Sequence, residues 1–471
     1  MADTAVAGAI PAPRRKLRWF LAIEALCLLG FGVFLWWGNQ TFALLFLLGP
    51  IQVLAWVVLL RDEFLLLLFF AALLPLVSLE LLPVAYVWLV LYVGTLGLLF
   101  LLWVTRFLDS QAPFVQLARS EQMPLQILGC WVVVAAIHAL FKGWSSPFLL
   151  KYSILALMVI SVIWFFAVIP RSLQQVRVLV YAMAATYAVV CCLLPFLASE
   201  VVGGLLGKTL VCPYAVVNLN VFATHVSVFA AMTIGATLDT KKVLGRVVLS
   251  IVVLILLAAL LFTKSRGGWL GFGIAFLYIL LRTRSFGLLL LAGIAVLGLL
   301  SLDILRIGVF ARVEQTGVQD PALWGRFLLW RYAWDIFKGN WLFGVGMENF
   351  QYVKHLYGFP WPRSFGMVFN THNLFLEILV DLGVVGLASF LWLKVGTFLR
   401  LDRIARMSVS QGRGLAIGLN AGIIAYATSG LLDCVIWQDG VIVFLGVVLG
   451  LAMCLRRLET RPSVAAGWLM L

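Results

Sequence analysis

Three stretches of this chain carry side chains whose types and spacing could do chemistry. "FNTHNLFLEILVDLG", residues 369–383, sets His372 beside Asn373 and continues with Glu377 and Asp381. Asn373, Glu377 and Asp381 recur every four residues, which puts them on one helix face. "TKSRGGWLG", residues 263–271, sets Lys264 and Arg266 before Gly267 and Gly268. A guanidinium fork donates paired hydrogen bonds to a diphosphate, and glycines let backbone approach a ligand closely. "GRFLLWRYAWDIFKGNW", residues 325–341, carries Arg326 and Arg331. Each stretch also has a plainer reading. Lys264 and Arg266 would snorkel at an interface, and Arg326 and Arg331 would meet anionic headgroups. His372 would be a capping residue, and Asp381 would make a helix-packing hydrogen bond. The elements that hold these residues decide between the readings.

Those elements belong to a membrane. Of 471 residues, 63% are hydrophobic and 11% charged, a balance that excludes a soluble fold. Apolar runs long enough to cross a bilayer, about 17–25 residues, recur along the chain. They give about fourteen spans, with boundaries loose by several residues: 19–38, 42–60, 64–82, 84–104, 125–141, 152–169, 178–196, 215–237, 247–263, 267–281, 286–305, 373–399, 414–432 and 440–455. The expected fold is all-α: a polytopic helical membrane protein of about 12–14 transmembrane helices, one integral domain over residues 1–471. The first apolar run ends in "FLWWGNQ" without small residues before a cleavage site, so it reads as a retained span.

The net charge of +14 has a topological explanation. Basic loops, such as those holding Arg14 to Arg18, Arg171 and Arg177, or Arg400 to Arg413, alternate without a break if both termini are cytoplasmic. Nucleic acid is not needed to explain the charge. One long segment, 306–371, falls on the outer side and carries cations against that bias. Loops of this length are usually functional. Within it, Arg331, Asp335 and Lys338 form a polar stripe, while Phe327, Trp330, Trp334 and Phe337 face lipid or protein, as in an interfacial helix. His138 and His225 lie within spans and read as packing or hydrogen-bonding residues, and His355 has no supporting motif. The seven cysteines form no CxxC and read as packing residues. No metal site is expected.

In order and spacing, "SRGGWLG", the long loop with "LFGVGMENF", and "THNLFLEILVDLGVVG" resemble the O-antigen ligase and polymerase superfamily. "NLNVFAT", residues 218–224, is similar to its asparagine-rich element. The resemblance covers residues 205–400. It implies a membrane-embedded fold of the C-type glycosyltransferase kind, with the long loop periplasmic. It also implies a bacterial inner-membrane enzyme that moves a glycan from undecaprenyl diphosphate to a sugar hydroxyl, with neither metal nor cofactor. The acceptor is lipid A–core in the family's ligases and another lipid-linked glycan in its polymerases. Carried over by motif, Arg266 and Arg326 would hold the diphosphate and His372 would be the base. Lys208, the only cation in loop 197–214, stands where the ligases carry an arginine. Lys264, Asn373 and Glu377 complete the expected substrate-binding set. A neutral imidazole suits the deprotonation of a hydroxyl near pH 7.

O-antigen ligase is the leading expectation, with an O-antigen or exopolysaccharide polymerase as the alternative. A small-anion transporter of the bicarbonate type would place charged groups near the bilayer midplane, whereas here they gather at the outer boundary. A metal-dependent oligosaccharyltransferase needs acidic residues in a sizeable first outer loop, and this chain offers "NQT" at 39–41.

Overall fold

The computed structural model describes residues 63–78, 117–144, 146–197, 200–203, 208–212, 215–285, 321–360, 370–407, 411–433 and 439–460, with positions 97 and 287. The chain divides into two compact units, residues 1–66 with 84–95, and residues 67–83 with 96–471. Apart from the first turn of one helix, the elements below lie in the second unit. Apart from positions 97 and 287, the expected spans at 19–38, 42–60, 84–104 and 286–305 fall outside the described residues.

Twelve helices are described: α1 (Glu63–Ser78), α2 (Arg119–Phe141), α3 (Pro147–Val168), α4 (Leu173–Leu197), α5 (Leu219–Asp239), α6 (Val243–Thr263), α7 (Arg266–Thr283), α8 (Pro321–Gly339), α9 (Phe350–Leu356), α10 (Leu374–Arg406), α11 (Arg413–Gly430) and α12 (Asp439–Thr460). Among them, α2 to α6 and α10 are long and apolar enough to cross a membrane. The molecule is a polytopic helical membrane protein, as expected. One addition is a small antiparallel sheet before α5: β1 (Glu200–Gly203), β2 (Lys208–Cys212) and β3 (Ala215–Asn218), in the order β1-β2-β3. The span expected at 215–237 therefore starts only at Leu219, where β3 hands over to the helix. Asn218 makes the transition, its side chain accepting the Asn220 N–H at 2.9 Å.

Small residues set the helix spacing. A Cβ at Gly235 of α5 would collide with the backbone of Gly418 in α11, and one at Gly268 of α7 would come within 2.6 Å of Ala223 Cβ in α5. At Gly271 a Cβ would lie 2.7 Å from the Ala425 carbonyl of α11. With lipid tails as apolar as the side chains, such close backbone packing is a main source of helix association. Gly268 thus serves α5 packing, where its sequence neighbourhood suggested an approach to ligand.

Ion pairs gather at one end of this bundle. Glu121 of α2 pairs with Arg456 at 2.7 Å and lies 3.7 Å from Arg400. Asp402 pairs with Arg282 at 2.7 Å and Arg406 at 2.6 Å. Asp239 accepts the Gly414 and Leu415 N–H groups at 2.7 and 3.0 Å, capping α11 from another helix. The opposite end holds the ends of α2 and α11, the starts of α5 and α7, and the helices α8 and α9.

The expected single span at 373–399 is a broken helix. Gly383 has φ 66° and ψ −170°, a conformation that glycine adopts without a Cβ clash. Lys394 Nζ lies 5.7 Å from the ring of Phe375, nineteen positions earlier. A straight helix would separate those residues by about 28 Å, so residues 374–382 fold back along residues 384–406. The break strands the last carbonyls of the short arm, and a membrane interior tolerates no such orphans. The "LFGVGMENF" loop takes them. Val345 N–H donates to Val380 O and Gly346 N–H to Asp381 O, each at 2.9 Å, and Trp131 Nε1 donates to Leu382 O at 2.8 Å. The Asp381 side chain accepts the Glu348 N–H at 2.8 Å.

Candidate active site

The fold-back brings His372 against the end of α11. His372 Nδ1 lies 2.8 Å from Asp433 Oδ1, with the two side chains 13% and 9% exposed. A carboxylate only accepts, so the imidazole donates through Nδ1, and in its neutral form the lone pair then sits on Nε2. His372 itself has φ 52°, a left-handed conformation rare for a residue with a Cβ. Its N–H donates to Asn370 Oδ1 at 3.0 Å. Held strain of this kind clusters at functional positions.

Asn373 caps the short arm of α10. Its Oδ1 accepts from Phe375 N and Leu376 N at 3.0 and 3.1 Å, and its Nδ2 donates to Leu431 O at 3.2 Å. The α10 start is thereby tied to the turn that carries Asp433. A Cβ at Gly430 would come within 2.8 Å of Leu374 Cδ2, so a larger residue there would press on the start of α10. Leu432 and Asp433 both donate backbone N–H bonds to Ser429 O at 3.0 Å, and Ser429 Oγ donates to Gly267 O at 3.2 Å. The first turn of α7, which begins with Arg266, therefore adjoins the same turn.

Three helix starts face this region: α5 after Asn218, α7 after its cap Ser265, and α10 after Asn373. Each adds the partial positive charge of a helix N-terminus. Arg326, on the inner face of α8, is 9% exposed. Burial works against ionisation of Asp433, but His372, Arg326 and a hydrogen bond from Asn220 outweigh it and hold the carboxyl below its ordinary value. Asp433 is therefore an anion at neutral pH, placed to steady a charged imidazole.

The residues singled out from the sequence fall in different places. His372, Arg326 and Asn373 meet around Asp433, and Arg266 opens the adjoining helix. Lys264 is exposed in a left-handed turn at the end of α6, with φ 52°. Lys208 starts β2, opposite Gly203. Glu377 is fully buried, and its carboxylate accepts the Thr371 N–H at 2.6 Å. Arg331 is exposed, and the ion pair of Asp335 is with Lys338 at 2.7 Å. His225 packs between Tyr187 and Phe444, and His138 stacks on Phe343. Among the described residues, no three His, Cys, Asp or Glu side chains group as metal ligands. Sequence reasoning missed Asp433. Its signal was an acid at the end of an apolar run, "SGLLD", 61 positions from the histidine it meets.

Fold and site together define a polytopic helical membrane protein with its polar machinery at one end of the bundle. Residues 251–391 match the family model described as O-antigen ligase. The match supports an O-antigen ligase-like superfamily assignment and, with it, an O-antigen ligase- or polymerase-like glycosyltransferase function. It spans Lys264, Arg266, Arg326, His372, Asn373 and Glu377, while Lys208, Asn220 and Asp433 lie outside it. No curated protein matches the chain.

Proposed function

We propose that this protein is an O-antigen ligase. It transfers a glycan from undecaprenyl diphosphate to a hydroxyl of lipid A–core, at the periplasmic face of the inner membrane and without a metal ion. The observation that carries the reading is the 2.8 Å contact between His372 and Asp433 beside a buried arginine. His372 Nε2 takes the proton of the acceptor hydroxyl as its oxygen attacks the anomeric carbon. The bond from that carbon to the phosphate oxygen breaks, and undecaprenyl diphosphate leaves with the electron pair. Arg266 and Arg326, with three helix starts, stabilise the diphosphate before and after it leaves. Lys264 and Lys208 add positive charge on its approach. Asp433 holds the Nδ1 proton and stabilises the imidazolium that forms. The segregation of basic residues to the opposite end supports cytoplasmic termini and an outward-facing site.

The test is transfer by purified protein in lipid nanodiscs, with chelator present. The donor is a glycan on undecaprenyl diphosphate, offered with lipid A–core or with further donor as acceptor. Glycosylated lipid A–core is the expected product. Longer lipid-linked glycan alone would make the enzyme a polymerase, and no transfer to either acceptor would overturn the reading.

A further inference from the structure

The two backbone polar groups of Thr371, the residue before His372, are both taken by side chains from other parts of the chain. Trp330 Nε1, on α8, donates to the Thr371 carbonyl at 2.9 Å. Glu377, one turn into α10, accepts the Thr371 N–H at 2.6 Å. The Thr371 hydroxyl closes the turn by donating to Asn373 O at 2.9 Å. Glu377 is 0% exposed, so its carboxylate needs a charged partner. The amine of Lys354 on α9 acts on it electrostatically. Lys354 is 3% exposed, with Nζ 5.6 Å from the Phe350 ring and 5.1 Å from the Phe359 ring. Burial pushes its amine down to about 8, and the Glu377 carboxylate works in the opposite direction.

We infer that Trp330 and Glu377, with Lys354 behind Glu377, are positioning residues that clamp the Thr371 peptide and so hold His372 in its left-handed conformation against Asp433. A left-handed conformation at φ 52° is costly for a residue with a Cβ, so contacts around His372 hold it there. The clamp supplies such contacts from three helices. One of them, α8, also carries Arg326 four positions before Trp330. Displacing α8 would therefore disturb the diphosphate contact and the base together. Glu377 has a role here other than touching sugar. The inference rests on His372 being the base.

The test is a double-mutant cycle in the nanodisc transfer assay. Trp330→Phe keeps the ring and removes the N–H. Glu377→Gln keeps an acceptor and removes the charge. Each is made alone and in the His372→Ala background, with kcat, both KM values and thermal stability recorded. One neutral hydrogen bond is worth about 0.5–1.5 kcal/mol, so Trp330→Phe should lower kcat about two- to thirteenfold. Both KM values should stay within about twofold. In the His372→Ala background the same change should move the residual rate by less than about twofold, because there is no base left to position. The clamp is overturned by full kcat in both folded single variants, by equal losses in the two backgrounds, or by a raised acceptor KM with kcat intact. A silent His372→Ala would overturn the base reading and the clamp with it. A dead His372→Ala beside fully active clamp variants would overturn the clamp alone.

Discussion

Asp433→Asn should slow transfer while leaving donor binding intact or tighter. The substitution keeps size and shape and removes the charge that faces His372 Nδ1 at 2.8 Å. During the reaction the imidazole becomes a cation, so the lost attraction falls on the transition state. A hydrogen bond between charged groups contributes about 1.5–3 kcal/mol. Two unit charges about 4 Å apart attract by about 4 kcal/mol at an effective dielectric constant near 20. That range corresponds to a fall in kcat of roughly ten- to a thousandfold. Asparagine can also donate to Nδ1, which would leave the proton on Nε2 and disable the base. The donor should respond in the other direction. Asp433 now offsets part of the Arg326 charge, so removing it raises the positive potential at the diphosphate. The assay is transfer at saturating donor and acceptor, with donor affinity measured separately. Full kcat in Asp433→Asn would refute the assigned partnership. A weakened donor affinity would refute the proposed sign of its electrostatic effect.

Arg266→Ala and Arg326→Ala should each weaken donor use about ten- to a hundredfold, with lysine rescuing only in part, as read from donor KM and affinity. His372→Gly should abolish transfer and melt no lower than His372→Ala, because both lose the Asp433 contact and only glycine relieves the φ of 52°. A lower melting temperature for the glycine variant than for the alanine variant would contradict the strain at this position. Gly235→Val should lower stability by about 1–3 kcal/mol or more by forcing α5 off α11, measured as loss of folded protein in mild detergent. Cysteines placed in segment 306–371 should label from the periplasmic side, and labelling from the cytoplasm alone would reverse the topology.

Much of this was written in the chain at short range. Apolar runs announced the spans. The motifs that carry Arg326, His372 and Asn373 picked out residues that meet around Asp433, and the four-residue spacing put Glu377 and Asp381 on the helix that Asn373 caps. What escaped depended on contacts distant in sequence or on backbone conformation. Asp433 meets His372 across 61 positions, and no periodicity relates a loop acid to a helix start. The break at Gly383 looks like any glycine in an apolar run. Only its φ of 66°, held by the Val345 and Gly346 N–H groups, makes it a reversal. The surroundings of Glu377 were hidden for the same reason, because Thr371 and Trp330 meet just before α10 and Lys354, whose charge acts on it, sits on α9. The sheet at 200–218 had a signal in its β-branched "EVVG", "KTLVC" and "AVVN" segments. Between two spans that signal merged with the surrounding apolar runs.

The central claim is that His372 deprotonates the acceptor while the donor is held elsewhere. A single-turnover measurement tests it most directly. Donor is bound first to parent protein and to His372→Ala in nanodiscs, lipid A–core is added, and formation of the new glycosidic bond is followed. Donor occupancy should be equal in the two proteins, and the rate should be lower by about two to four orders of magnitude in His372→Ala. Equal rates in the two proteins, or loss of donor occupancy in the variant, would contradict the claim.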